Sequence, residues 1–231
     1  MLSPKMFLIE NVVGMLSLER GAAFESLMER VVSLGYTLSY KVLQAAHYGV
    51  PQSRWRLFVV GSKLGTFVFP SPTHHAPIRP NIPGGKSVTF HMPKSLGLFD
   101  SFLPSTTVMD AISDLPPIAN GGGHPFMDYN KQPSTQLQHQ LRGEEQVLSS
   151  HQVPKLGELQ MQRVKAIRHQ GGNWKDLPEQ LIPDNLKRLR EKHGTGLGNN
   201  GRFGRLAWEG RFTTILTQPH LYWGDTGQPT D

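Results

Sequence analysis

Cysteine is absent from the 231 residues of this chain. That excludes disulfides, thiolate metal centres and a cysteine nucleophile within it. Long apolar runs are missing as well, and none approaches the ~20 residues that a membrane helix requires, so a soluble protein is expected. The opening stretch MLSPKMFLIENV has one lysine and an apolar segment too short for a secretory signal. It reads as the inside of a domain. Acidic side chains are the minority: 24 Lys and Arg face 18 Asp and Glu, giving a formal charge of +6 and a pI near 9.7. Such a balance suits a polyanionic partner, although scattered basic residues on any soluble protein give the same total.

What is present has an ordered rhythm. Residues 6–9 read as a short buried strand that ends on Glu10. In AAFESLMERVVSL the apolar residues Phe24, Leu27, Met28, Val31, Val32 and Leu34 fall largely on one helical face, and Gly35 supplies the stop. A strand near 36–43, a loop at QAAHYGVPQS and a further strand, RLFVVGS, follow. Strand, helix, strand, loop, strand predicts an α/β domain with a mainly parallel sheet. Beyond about residue 70 the proline-rich FPSPTHHAPIRPNIPGG marks a boundary, and residues 71–135 read as loop-dominated. Helices are expected within 155–169 and in DNLKRLREKHG, and one or two strands in RFGRLAWEGRFTTILTQPHLYWG. Trp174, Trp208 and Trp223 read as core anchors. No internal repeat is visible.

Two features are decoys. GLGNNG, residues 196–201, matches the glycine spacing of a dinucleotide loop, but that fingerprint needs a strand before it and a helix after it, and here a basic helix precedes it. His74, His75 and the other histidines show no metal-ligand spacing, so packed or surface histidine is expected and no metal site is assigned.

Two stretches carry chemistry. FLIENVVGM places a carboxylate, Glu10, at the end of an apolar strand, where an α/β protein keeps its ligand crevice; a solvated strand end reads equally from the residues. AAHYGVPQSRWRLFVVGS then alternates Gln52, Arg54 and Arg56 into a strand, so their side chains share one face. Two guanidinium groups and an amide after a tight Gly-Val-Pro turn form a donor-rich surface for phosphates, carboxylates or a base edge. A solvated face with internal ion pairs is the alternative.

In this order and separation, ENVVGM and YGVPQSRWRLFVVGS resemble the DNA (cytosine-5) methyltransferase family. TVMDAISDLPPIANGG, QHQLRG, NWKDLPEQLIP and GRLAWEGRFTTILTQP are similar to target-recognition segments of its eukaryotic, maintenance-like members. The resemblance implies part of a Rossmann-like, S-adenosylmethionine-dependent methyltransferase sheet followed by an irregular target-recognition region. Residues 1–70 would be the second part of the catalytic domain and residues 71–231 the DNA-binding region. It implies that Glu10 contacts N3 and the exocyclic amine of a flipped cytosine, that Arg56 donates to O2, and that Asn11, Gln52 and Arg54 support the pocket. Duplex DNA is the implied partner and the nucleus the implied location. Arg163, Lys165, Arg168, Lys187, Arg188 and Arg190 on two predicted helices, with Arg202, Arg205 and Arg211 in the aromatic-rich tail, are candidates for phosphate contacts or for a solvated basic face.

The departures shape the expectation. In the family a Pro-Cys nucleophile and a glycine-rich S-adenosylmethionine loop precede the Glu-Asn-Val segment, and a final cofactor-domain segment follows the recognition region. None of these motifs is in this sequence. A middle fragment is therefore expected, inactive and without bound cofactor by itself, its partner being the flanking segments of the same protein. A non-catalytic nucleic-acid-binding module and a transfer-RNA methylating relative are the alternatives. Translating the transcript upstream of Met1 decides the first point. An in-frame Pro-Cys motif and glycine-rich loop are expected, and a genuine start at Met1 would leave a relic or a binding protein.

Overall fold

The structure, a computed structural model, describes residues 3–76, 102–193 and 204–214. The GLGNNG loop, Arg202 and Trp223 lie outside the described residues. The chain divides into two compact units, Met1–Ser105 and Thr106–Asp231. The fold is mixed α/β.

The first unit is built on three strands, β1 (Met6–Asn11), β2 (Thr37–Gln44) and β4 (Trp55–Ser62), with a two-residue extended segment β3 (Gln52–Ser53) between the last two. Their order in the sheet is β1-β4-β2. The mainly parallel sheet expected from the sequence is corrected here, because β4 runs antiparallel to both neighbours. The reason is connection length: the stretch 45–54 is shorter than the dozen or so residues a parallel crossover needs, so the chain turns back on itself. β1 and β2 do run in one direction, on either side of β4, and are joined through helix α1 (Ala22–Ser33).

β1 is also longer than expected, so Glu10 lies inside the strand, paired with Phe58. Alternation sends Phe7 and Ile9 toward the helix side of the sheet and Met6, Leu8 and Glu10 to the other. Leu57 and Val59 of β4 are nearly inaccessible and pack on Phe24 of α1, with Ile9, Leu38, Val42 and Met28 around them. The predicted helical face is thus used through Phe24, Met28 and Val31, whereas Val32 and Leu34 are more than half exposed. Just before α1 the chain makes a left-handed turn through Glu19, Arg20 and Gly21, and Gly21, with φ of 102°, is the helix cap.

The second unit has two small assemblies. In one, α2 (Val108–Ile112) and α3 (Gln136–Arg142) are each started by a threonine cap, and the hydroxyl of the α3 cap, Thr135, donates to Asp110 O at 2.6 Å. Gln138, 1% exposed, accepts from the Ser134 N–H and donates to Met109 O and Ser113 Oγ. A two-stranded antiparallel ribbon, β5 (Gly123–Asp128) and β6 (Val147–Gln152), brackets α3 in sequence. The other assembly packs α4 (Glu158–Ala166) and α5 (Asp184–His193) around Trp174, with Val164, Ile167, Leu177, Ile182 and Leu186. Trp174 is a core anchor as the sequence indicates, whereas Trp208, read the same way, is only half-buried because it lies in an irregular segment. The tail contributes only the two-residue segment β7 (Phe212–Thr213) among the described residues. Polar backbone groups of residues 204–210 are met by a loop, as in the paired Gly171 N–H to Arg205 O and Arg205 N–H to Gly172 O bonds, and by the first N–H groups of α2, Val108 donating to Gly210 O and Met109 to Trp208 O.

Each unit has one residue whose truncation should dominate. Leu57→Ala should cost roughly 2–5 kcal/mol and Trp174→Ala roughly 3–5 kcal/mol by urea unfolding, because each empties a space its neighbours cannot refill. A loss under about 1 kcal/mol at either position would show that the core is elsewhere.

Candidate functional site

The first unit's sheet brings together the two stretches singled out in the sequence. Glu10 stands opposite Phe58, so Arg56, two residues earlier on β4, is its diagonal neighbour on the same face. Arg56 Nε donates to Glu10 Oε1 at 2.7 Å, a charge-assisted contact. Arg54 Nη2 approaches the same oxygen at 3.8 Å. Arg56 Nη1 also donates to its neighbour's carbonyl, Trp55 O, at 2.7 Å. The Glu10 side chain remains 46% exposed while that of Arg56 is 19% exposed, so the carboxylate faces solvent and the guanidinium is set behind it. A carboxyl group beside a fixed fork of N–H donors can pair with a planar ligand edge that carries both a donor and an acceptor.

The remaining pocket candidates act through the backbone. Asn11 Oδ1 accepts the Val12 N–H at 2.8 Å, closing the turn that leaves β1. The Gln52 N–H donates to Val50 O, and its carbonyl accepts the Arg54 N–H. Gly49, at φ of 81°, lies against the His74 ring, where an added Cβ would come within 2.8 Å of the imidazole. One residue of this loop, His47, and the first residue of β4, Trp55, are not marked out by the sequence as site residues. The carbonyl of His47 accepts the N–H groups of Thr73 and His74 at 2.8 and 3.0 Å, and its ring meets that of Trp55 edge-on at 5.7 Å. The only sequence signal was an aromatic residue set between two arginines.

The basic residues of the second unit serve different ends. Arg205 Nε and Nη2 donate to the carbonyls of Ile167 and Val164 at the end of α4, and Arg163 Nε donates to Leu181 O. These are bonds that hold helices. Lys187 lies 3.9 Å from Asp184 and Arg190 is 2.6 Å from Glu179. Lys165, Arg168 and Arg188 are exposed, and Arg211 is half-buried.

The Arg190 hydrogen bond holds the Glu179 carboxyl below its ordinary pKa. A depressed folded-state pKa stabilises above the unfolded carboxylate range and is lost as pH falls through the folded value. The native chain should therefore lose stability on acidification below about pH 4 more steeply than Glu179→Gln. Parallel pH-dependent unfolding curves would refute this.

Known proteins resemble this chain over most of its length. The family described as C-5 cytosine-specific DNA methylase matches residues 1–202. DNA (cytosine-5)-methyltransferase 1A of Oryza sativa subsp. japonica is 31% identical over 233 residues, covering 94% of this chain and 15% of the rice protein. Type II methyltransferase M.AgeI of Thalassovita gelatinovora is 35% identical over 188 residues, covering 79% of this chain and 42% of that enzyme. The chain thus spans about a seventh of the plant relative's length. A crystal structure described as a prophage-encoded DNA modification methyltransferase from E. coli superposes with a TM-score of 0.52 at 16% identity, over 92% of this chain and 53% of that one, and shares the fold. A strand-borne Glu-Asn-Val segment facing paired arginines, within a sequence matched by that family over residues 1–202, means that the chain belongs to the C-5 cytosine-specific DNA methylases.

Proposed function

We propose that this chain supplies the base-holding site and target-recognition region of a DNA cytosine-5 methyltransferase, residues 1–70 forming the second part of the catalytic domain and residues 71–231 the recognition region. The observation that carries the proposal is the 2.7 Å contact of Glu10 with Arg56 on a solvent-facing sheet surface. Cytosine offers the matching edge: an acceptor at N3, a donor in the adjacent amine and an acceptor at O2.

As the acid, Glu10 donates to N3 and accepts from the amine. Withdrawing charge from N3 makes C6 a better electrophile, which is the barrier an attacking thiolate meets. Arg56 donates to O2, and its permanent charge and planar fork suit that post where a lysine would not. Asn11, Gln52 and Arg54 hold the surrounding backbone and carboxylate in place. Extrusion of the base from the duplex is required, because these edges are engaged in pairing inside the stack.

S-adenosylmethionine supplies the methyl group in the full-length enzyme. Among the described residues the strand-to-helix connection 12–21 is a 3-10 turn bearing Leu18, Glu19 and Arg20, which does not fit a nucleoside-binding glycine loop. Duplex DNA is the substrate, and the nucleus is the location. Lys165, Arg168 and Arg188, exposed on or next to α4 and α5, are the foremost phosphate contacts, with Arg163, Lys187, Arg190, Arg202, Arg205 and Arg211 as further candidates. Phosphate contacts set register without reading sequence.

In the full-length enzyme, Glu10→Gln should lower methyl transfer by on the order of 10²–10⁴-fold, the range for a general acid, and Arg56→Lys should also lower it, with duplex binding largely retained. Full activity in Glu10→Gln would sink the assignment. The 231-residue chain should shift duplex DNA at low salt and release it as salt rises. Preference for a structured RNA over the duplex would overturn the choice of substrate.

A further inference from the structure

We propose that His47 is a positioning residue for Arg56, acting through Trp55; the proposal rests on the reading of Glu10 and Arg56 as the base-holding pair. The ladder between β1 and β4 ends at the Asn11 and Leu57 partners. Trp55 and Arg56 lie beyond it and pair with β2, Trp55 with Gln44 and Arg56 with Leu43. The Trp55 peptide is therefore not held by β1, yet its carbonyl is the acceptor that curls the Arg56 guanidinium back along its own strand at 2.7 Å. Rotation of that peptide would withdraw the acceptor and release Arg56 from the orientation in which Nε reaches Glu10.

The side chain of Trp55 adds a restraint to the one that the β2 ladder gives. Its indole meets the His47 imidazole edge-on, with ring centroids 5.7 Å apart and planes at 83°, the arrangement that ring quadrupoles favour. His47 is itself a fixed point: it is 6% exposed, and its carbonyl is tied to the Thr73 and His74 N–H groups. The line of contacts runs from Thr73 and His74 through His47 to Trp55, then to Arg56 and Glu10. Trp55 points to the opposite side of the strand from the arginines. The restraint thus acts from behind the site and leaves its solvent-facing side clear.

The test is a nitrogen-15 NMR spectrum of the 231-residue chain, following the Arg56 Nε–H resonance, assigned by its disappearance in Arg56→Lys. In the native chain this proton is bonded to Glu10, and Glu10→Gln should shift it. His47→Ala should move it to the averaged position of exposed arginines, and His47→Phe, which restores a ring edge without ring nitrogens, should bring it back. Trp55→Leu removes the other half of the contact and should have the effect of His47→Ala, so the question stays decidable if the alanine variant does not fold. An unchanged resonance in folded His47→Ala or in Trp55→Leu would overturn the proposal. The readout is independent of methyl transfer. If Glu10→Gln keeps full activity while His47→Ala still frees Arg56, the base-holding reading has failed and the positioning has not.

Discussion

The antiparallel insertion of β4 between β1 and β2 is the constraint on which the first unit depends. It buries Leu57 and Val59 against α1 on one side of the sheet and, by the same alternation, turns Arg56 toward Glu10 on the other. The two outcomes cannot be separated. A slip of one residue in the pairing would expose the apolar pair and send Arg56 to the helix side, away from the carboxylate. Core packing therefore enforces the register that the site needs, and the site requires no stability of its own.

That economy explains why the Glu10 and Arg56 pair can stay partly open to water. Exposed ion pairs contribute only a few tenths to about 1 kcal/mol, so a pair in this position adds little to the stability of the sheet. The loop 45–54 completes the arrangement. Gly49 adopts the left-handed conformation against His74, and the His47 carbonyl collects two N–H groups from the chain at 73–74, so the residues leading into β4 are anchored before the arginines begin.

In the second unit, buried polar side chains add to the apolar core around Trp174. Arg142, 6% exposed, gives its guanidinium to Glu145 O, Lys131 O and Gln146 Oε1 and lies over the Tyr129 ring at 3.9 Å. Gln138 ties α3 to α2, and Arg205 caps the end of α4. QHQLRG, which drew notice as part of a family resemblance, is thus a structural clasp through Gln138 and Arg142. Arginine content alone misleads here, because a guanidinium satisfied by backbone carbonyls contributes little to a nucleic-acid surface until those bonds open.

How much could be read in advance differs by feature. Periodicity located α1, and the Glu-Asn-Val and Gln-x-Arg-x-Arg spacing drew Glu10, Arg54 and Arg56 together as candidates, because strand alternation is a local property and puts those arginines on one face. The antiparallel course of β4, the extension of β1 past Glu10, the exposure of Val32 and Leu34, and the roles of His47 and Trp55 were not legible, since each depends on a partner distant in sequence. The sequence by itself determined which chemical groups are available and on which side of each strand they stand. Only the tertiary structure decided that Glu10 and Arg56 meet and that Arg163 and Arg205 bond to backbone carbonyls, because pairing register and burial arise from contacts between segments that local preference does not encode.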